Sequence, residues 1–283
     1  MLDSRRLGPK LLGRGDVFDS HCHVTDIAAP EGVVREAYGR HLDGLLTCGY
    51  DAASNRRVTE LRGQLIGLPI AIGLHPWFAR EPLEPIIAMI EQERPVAIGE
   101  CGLDGSNDPE LPPLQLQSSV LEQQLDLAER LSLPVTVHSR AALSRLVEMA
   151  RAFPRARGAL HACSGSYQQI RPLLDLGWMV GVGGAMTRPG AHRIRRLARC
   201  VDLAHIVLET DAPAIGLEGV RPPHVRPWHV AEVARALSEL RGVALEDIVE
   251  ATDANAALLF GGEVLRRPLW VQGDSASKLA NVS

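Results

Sequence analysis

A chain of 283 residues, 46% of them hydrophobic, is long enough to bury a full core, and its formal net charge of −4 excludes the global basic field of a nucleic-acid coat protein. The five cysteines, Cys22, Cys48, Cys101, Cys163 and Cys200, are odd in number, widely spaced and without a Cys-x-x-Cys pair, which argues against a disulfide framework and for a reducing compartment. The cytoplasm is therefore the expected location: no apolar run reaches the ~18 residues of a membrane span, and the first residues lack the apolar core of a secretory signal.

In chain order, residues 1–15 read as a short N-terminal arm. From residue 16 onward, short β-like runs alternate with longer helix-like ones. The β-like runs are Val17–Asp19, Gly44–Cys48, Pro69–Leu74, Val96–Gly99, Pro134–Val137, Gly158–Leu160, Trp178–Val182 and Ile206–Leu208. Most are continuously apolar, as suits strands covered on both faces of a parallel sheet. Between them, Leu121–Leu131 carries a helical stripe of Leu121, Leu125 and Ala128. Val230–Leu240 carries another, of Val230, Val233, Ala234 and Leu237. Eight strand signals with intervening helices predict an α/β fold, a single (β/α)8 TIM barrel over residues 16–262. A doubly wound open sheet is the rival, weakened because no Gly-rich dinucleotide fingerprint follows the first strand. Residues 263–283 read as a polar C-terminal tail, expected to be mobile.

Ligand-type side chains follow five of these strands. His21 and His23 come directly after the first, where residues i and i+2 of an extended segment share a side and two imidazoles make a chelate. Glu100 follows the fourth strand, His138 the fifth, His161 the sixth and Asp211 the eighth. In a barrel the C-terminal strand ends converge on one rim. Four imidazoles and two carboxylates can hold two divalent ions if one carboxylate bridges them. Each residue alone has a bland explanation as a cap, an ion pair or a solvated side chain; the set does not.

The order and spacing of the motifs over residues 16–262 resemble the TatD family of metal-dependent hydrolases, within the wider amidohydrolase-like barrels. The matching segments are Asp19-Ser20-His21-Cys22-His23, Gly73-Leu74-His75-Pro76, Ile98-Gly99-Glu100-Cys101-Gly102-Leu103-Asp104, Leu133 to Arg140, His161 to Ser166, Glu209-Thr210-Asp211-Ala212-Pro213 and Asn255 to Gly261. The resemblance implies that His21, His23 and Asp211 bind one metal, that His138 and His161 bind the other, and that Glu100 bridges them. It implies two divalent ions (Mg, Mn or Zn), a metal-activated water, Asp211 as proton acceptor, and DNA or RNA as substrate, cleaved as by a 3′–5′ exonuclease.

Around the metals, the resemblance makes His75 a substrate-side donor. Arg140 is a candidate phosphate clamp, and Trp77, Phe78 and Trp228 a candidate stacking platform. Arg188, Arg221 and Arg226 could line a groove for phosphates. Glu209 is expected to orient a ligand, and Cys22 and Cys101 to pack away from the metals. The substrate wall departs from the family pattern at Gly105-Ser106, Ala141, Cys163, Ala214 and Val225-Arg226-Pro227, which implies retained hydrolysis on a specialised substrate. Two other readings stay open. One is a hydrolase of esters, lactones or amides, aminoacyl-tRNA included. The other is a metal-binding partner subunit of a larger assembly.

Overall fold

The computed structural model describes residues 17–40 and 42–270. The arm expected over 1–15 and residues 271–283 of the expected tail lie outside the described residues. Eight parallel strands pair in chain order: β1 (Val17–Cys22), β2 (Leu42–Cys48), β3 (Ile70–Ile72), β4 (Ala97–Asp104), β5 (Val135–Arg140), β6 (Gly158–Leu160), β7 (Met179–Val182) and β8 (Ile206–Leu208). The ends of the sheet meet at the rim. The Asp211 N–H donates to the His21 carbonyl at 2.9 Å, and the His23 N–H donates to the Ala212 carbonyl at 2.7 Å. Below them, the Asp19 carboxylate accepts the Thr210 N–H at 2.9 Å and its hydroxyl at 2.6 Å. The result is a nearly closed (β/α)8 barrel.

Strand alternation sorts the apolar residues into two clusters. Phe18, Leu46, Ala71, Ala97, Ala159, Met179 and Val207 fill the barrel interior. Their neighbours Val17, Leu45, Ile70, Ile98, Val135, Leu160, Val180 and Ile206 face the surrounding helices. These are α1 (Pro30–Gly39), α2 (Ala52–Gln64), α3 (Glu84–Glu93), α4 (Leu114–Leu131), α5 (Leu143–Ala152), α6 (Tyr167–Asp175), α7 (His192–Cys200), α8 (Val230–Arg241) and α9 (Leu245–Phe260). Helix α9 closes the floor: its Phe260 ring packs on Phe18 with centroids 6.5 Å apart. Asn255 donates to the Leu203 and Ile206 carbonyls at 2.8 Å each, tying α9 to the start of β8.

Both apolar stripes predicted for the helices are buried, but α4 begins at Leu114, seven residues before its predicted start at Leu121. The added turns bury Gln117, and the stripe itself includes a buried Gln124. These amides satisfy strand-end backbone: Gln124 pairs with both the N–H and the carbonyl of Leu74, and Gln117 with those of Asp104. After α9 the chain stays ordered beyond residue 263, where the tail was expected to begin. Val264 is buried against the floor, and Leu269–Trp270 pairs antiparallel with Leu65–Ile66. Among the described residues, no helix is long and apolar enough to cross a membrane.

Candidate metal centre

The register of two strands slips where ligand-type residues sit. Pairing between β1 and β2 is interrupted between Asp19 and Cys22, a span that contains His21. Pairing between β4 and β5 is interrupted between Ile98 and Cys101, a span that contains Glu100. Such irregularities bend a strand and re-aim a side chain. Gly99, next to Glu100, has φ +144°, and a Cβ there would meet Thr136 at 2.5 Å, so only glycine lets the two strands approach this closely.

Six predicted ligands converge at the mouth, arranged around Glu100. Its Oε2 lies 3.3 Å from His23 Nε2 and 3.5 Å from His21 Nε2. Its Oε1 lies 2.8 Å from His161 Nε2 and 3.5 Å from His138 Nδ1. Asp211 Oδ1 stands on the first side, 3.3 Å from His23 Nε2 and 3.9 Å from His21 Nε2. The two sides touch, because the His21 and His161 rings stack with centroids 4.1 Å apart.

Residues behind the ligands fix their orientation. His23 Nδ1 lies 2.9 Å from the Cys48 carbonyl, which can only accept, so Nδ1 carries a proton and, in the neutral ring, Nε2 turns its lone pair to the centre. His21 Nδ1 lies 2.8 Å from Thr136 Oγ1. Glu209 Oε1 accepts the Ala162 N–H at 2.6 Å and so holds the residue after His161 in a left-handed turn, φ 44°. Cys22 and Cys101 are buried, their thiols directed at the Leu46 and Thr136 carbonyls.

His75 differs from the ligand set. Its Nδ1 accepts the Trp77 N–H at 3.2 Å, so in the neutral ring the proton sits on Nε2, which lies 3.3 Å from Glu100 Oε1. That is a donor's arrangement. Trp77 stands edge-on to His75 and donates its indole N–H to Asp104 Oδ2 at 2.8 Å; the same Oδ2 lies 3.6 Å from His138 Nε2. Phe78 stacks on Tyr50, whose ring meets His23 edge-on at 5.3 Å. Trp228 instead packs under the Arg40 guanidinium. Arg140 ends β5 exposed, on the same side of the strand as His138.

Two of the arginines expected to line a groove are engaged elsewhere, Arg226 donating to the Pro223 and Val225 carbonyls and Arg188 to the Gly216 carbonyl, while Arg221 is exposed. Reading the sequence missed Tyr50, Asp104 and Thr136 as parts of the mouth. Tyr50 and Asp104 lie at or just beyond the C-terminal ends of β2 and β4, and that position was the available signal. Thr136, inside β5, carried none.

The charges of the cluster show what it is built to hold. Burial works against ionising Glu100, yet the charge and hydrogen bond of His161 hold its carboxyl well below the usual range. Asp211 is also lowered, against burial, by hydrogen bonding to His23 and by the charge of His161. Burial also opposes protonation of His161, but Glu100 raises it to about 9. His23 is likewise raised, against burial, by Asp211 and Glu100. Burial and the His161 charge drop His21 to about 4; burial, against the attraction of Glu100, drops His138 to about 4. Two ionised carboxylates in a buried mouth thus recruit protons onto two imidazoles, an electrostatic environment that suits a cation.

Three sets of donor atoms lie within 4.8 Å of one another among the described residues: His21, His161 and Asp211; His21, His23 and Glu100; and His75, Glu100 and His138. Asp211 Oδ1, His138 Nε2 and His161 Nδ1 are buried without a well-aligned hydrogen bond. An orphaned carboxylate oxygen, Asp211 Oδ1, beside mixed imidazole and carboxylate donors fits a divalent cation.

Comparison with known proteins agrees with this geometry. The family model described as TatD related DNase matches residues 18–261. The metal-dependent hydrolase YjjV of Escherichia coli K12 is 33% identical over 86% of this chain and 97% of its own length, and its crystal structure superposes with a TM-score of 0.78. The human protein named deoxyribonuclease TATDN3 is 27% identical over 86% of this chain and 94% of its own length. The Klebsiella pneumoniae protein named 3′-5′ ssDNA/RNA exonuclease TatD is 29% identical, covering 82% and 92% respectively.

Proposed function

We propose, given that this chain belongs to the TatD-related family of metal-dependent hydrolases, that it is a phosphodiesterase removing nucleotides from the 3′ end of single-stranded DNA, with RNA as a second substrate. The observation that carries the reading is the division of labour at Glu100, whose two oxygens face two different groups of nitrogens. On this reading His21, His23 and Asp211 would hold one divalent ion and His138 and His161 a second, with Glu100 shared between them; Mg, Mn and Zn are the candidates. Bound there, the ions would acidify the attacking water and neutralise charge on the scissile phosphate.

The chain's own residues do the rest. Asp211 Oδ1, buried and short of a donor, takes the proton that the water loses. His75 presents Nε2–H to a substrate oxygen, and Trp77, half exposed at the rim, offers a face to a base. Arg140 reaches a flanking phosphate from the end of β5. The names of the human and Klebsiella relatives support nucleic acid as the substrate.

The test is digestion of end-labelled single- and double-stranded DNA with Mg or Mn, beside a Glu100→Ala control. A metal-dependent ladder from the 3′ end, lost in the variant, is the expected result. Intact DNA under every metal, with metal still bound to the protein, would refute the nuclease reading and leave ester, lactone or amide hydrolysis as the reaction to assay.

A further inference from the structure

Helix α7 stands apart from the rest of an acidic chain. Its nine residues, His192 to Cys200, include Arg193, Arg195, Arg196 and Arg199 and no acidic side chain. Arg195 is half-buried and donates to the Met186 carbonyl. Arg196 and Arg199 are exposed and form no ion pair among the described residues. Arg193 is held in place by Gln169, whose Oε1 lies 3.3 Å from its Nη2 and also accepts the Ser166 N–H and hydroxyl.

Two grooves share Gln169 and Arg193. The first, about 500 Å3, begins at Ser139 and Ala141, beside His138, and passes Cys163 and Gly165 on its way to that pair. The second, about 650 Å3, continues from the pair past Tyr167 to Arg196 and Cys200. Together they make one path along the rim from the end of β5, next in sequence to His138, to the arginine helix. Two of the positions where the wall departs from the family pattern, Ala141 and Cys163, lie on its first half and leave room there.

We infer that this path binds the phosphodiester backbone of a single nucleic-acid strand, several nucleotides from the scissile bond. The inference rests on the nuclease reading above and adds to it where the strand runs. Guanidinium groups make forked bonds to phosphate, and a repeating anion is the ligand that uses a row of them. Tyr167 is 37% exposed at the start of α6 and offers a ring to an unpaired base, which a duplex would not present. With a net charge of −4, the chain can attract a polyanion only through such a local patch.

The test compares the native protein with a combined Arg193→Ala, Arg196→Ala, Arg199→Ala variant. Binding of a fluorescent oligothymidylate of about 20 nucleotides, longer than such sites span, is followed by anisotropy in EDTA at several salt concentrations. The expected result is a loss of roughly 10- to 100-fold in affinity at low salt, with the salt slope reduced by about 2. Turnover of bis(p-nitrophenyl) phosphate with Mn, a substrate too small to reach α7, should be unchanged.

Equal binding by the two proteins overturns the inference, and so does an equal loss on a trinucleotide. Tighter binding of the native protein to phosphatidylserine vesicles than to the oligonucleotide also overturns it and makes the helix a membrane contact. The nuclease reading fails separately. If the native protein binds the oligonucleotide through α7 but cuts no nucleic acid, the binding path stands without that reaction. If the variant cuts the oligonucleotide with unchanged KM, the reaction stands without the path.

Discussion

The floor and the mouth of the barrel are formed by the same strands, yet they are built from opposite materials. At the floor Phe18, Leu46, Ala71, Ala97, Met179 and Val207 meet Ala256 and Phe260 of α9 in apolar contact, and the buried Asp253 carboxylate of α9 is committed to the Phe18 N–H at 3.0 Å. A few residues further along the same strands, His21, His23, Glu100, His138, His161 and Asp211 crowd together, most of them buried. Dry apolar packing stabilises. Buried charges and unpartnered polar atoms cost stability unless something binds them. The barrel separates the two by position along each strand, so folding is secured at one end and reactivity is kept at the other.

The largest predicted effect breaks the floor. Phe260→Ala should cost about 3–5 kcal/mol of unfolding free energy, measured by denaturant titration, because a large ring is lost from a packed interior. Metal affinity of the remaining folded protein should stay the same. A variant that unfolds normally but no longer binds metal would show that the two ends are not independent.

Next comes pH, which acts on the mouth. His161 is raised to about 9 by Glu100, and His23 is raised by Asp211 and Glu100. Below about pH 9 the metal-free mouth holds the His161 proton, and a cation must displace it. Affinity therefore climbs as pH rises toward 9, by about tenfold per pH unit for each proton displaced. Calorimetry in buffers of different ionisation enthalpy would count the protons released. A pH-independent affinity would mean that the imidazoles are already neutral.

A smaller effect is expected from Thr136→Val, which keeps the shape of the side chain but removes the oxygen 2.8 Å from His21 Nδ1. Metal affinity should fall about 10- to 100-fold, the usual cost of losing a group that orients a ligating imidazole. Unchanged affinity would reduce Thr136 to a space-filling residue.

The same division decides what could be read from the chain. The strands were legible because they are continuously apolar, and Gly158–Leu160 and Ile206–Leu208 have the predicted bounds. β1 and β4 run further than predicted, to Cys22 and Asp104, because their last residues are the polar ones of the mouth, which hydropathy reads as loop. The side chains that meet at the mouth were legible from their place at or after strand ends. The partition of contacts around Glu100 was legible only through the family resemblance, because it depends on two interruptions of strand register that no local pattern encodes. The arginine-bearing surface was expected after the seventh and eighth strands, at Arg188, Arg221 and Arg226. Two of these bind loop carbonyls, whereas α7 presents Arg193 and Arg196 to a groove, a difference set by tertiary packing.

The finest comparison lies within the rim, between stacking and hydrogen bonding at Trp77. The indole is half exposed, stands edge-on to His75 and donates to Asp104 Oδ2, which in turn faces His138. If its face receives a base, Trp77→Ala should raise KM for a single-stranded oligonucleotide by about tenfold with little change in kcat, within the range measured for one base–aromatic stack. Trp77→Phe keeps a ring but loses the N–H. If stacking is the role, the Phe variant recovers most of the affinity. If the indole instead acts by fixing Asp104 beside His138, the Phe variant behaves like the Ala variant, and the loss falls on kcat and on metal affinity rather than on KM.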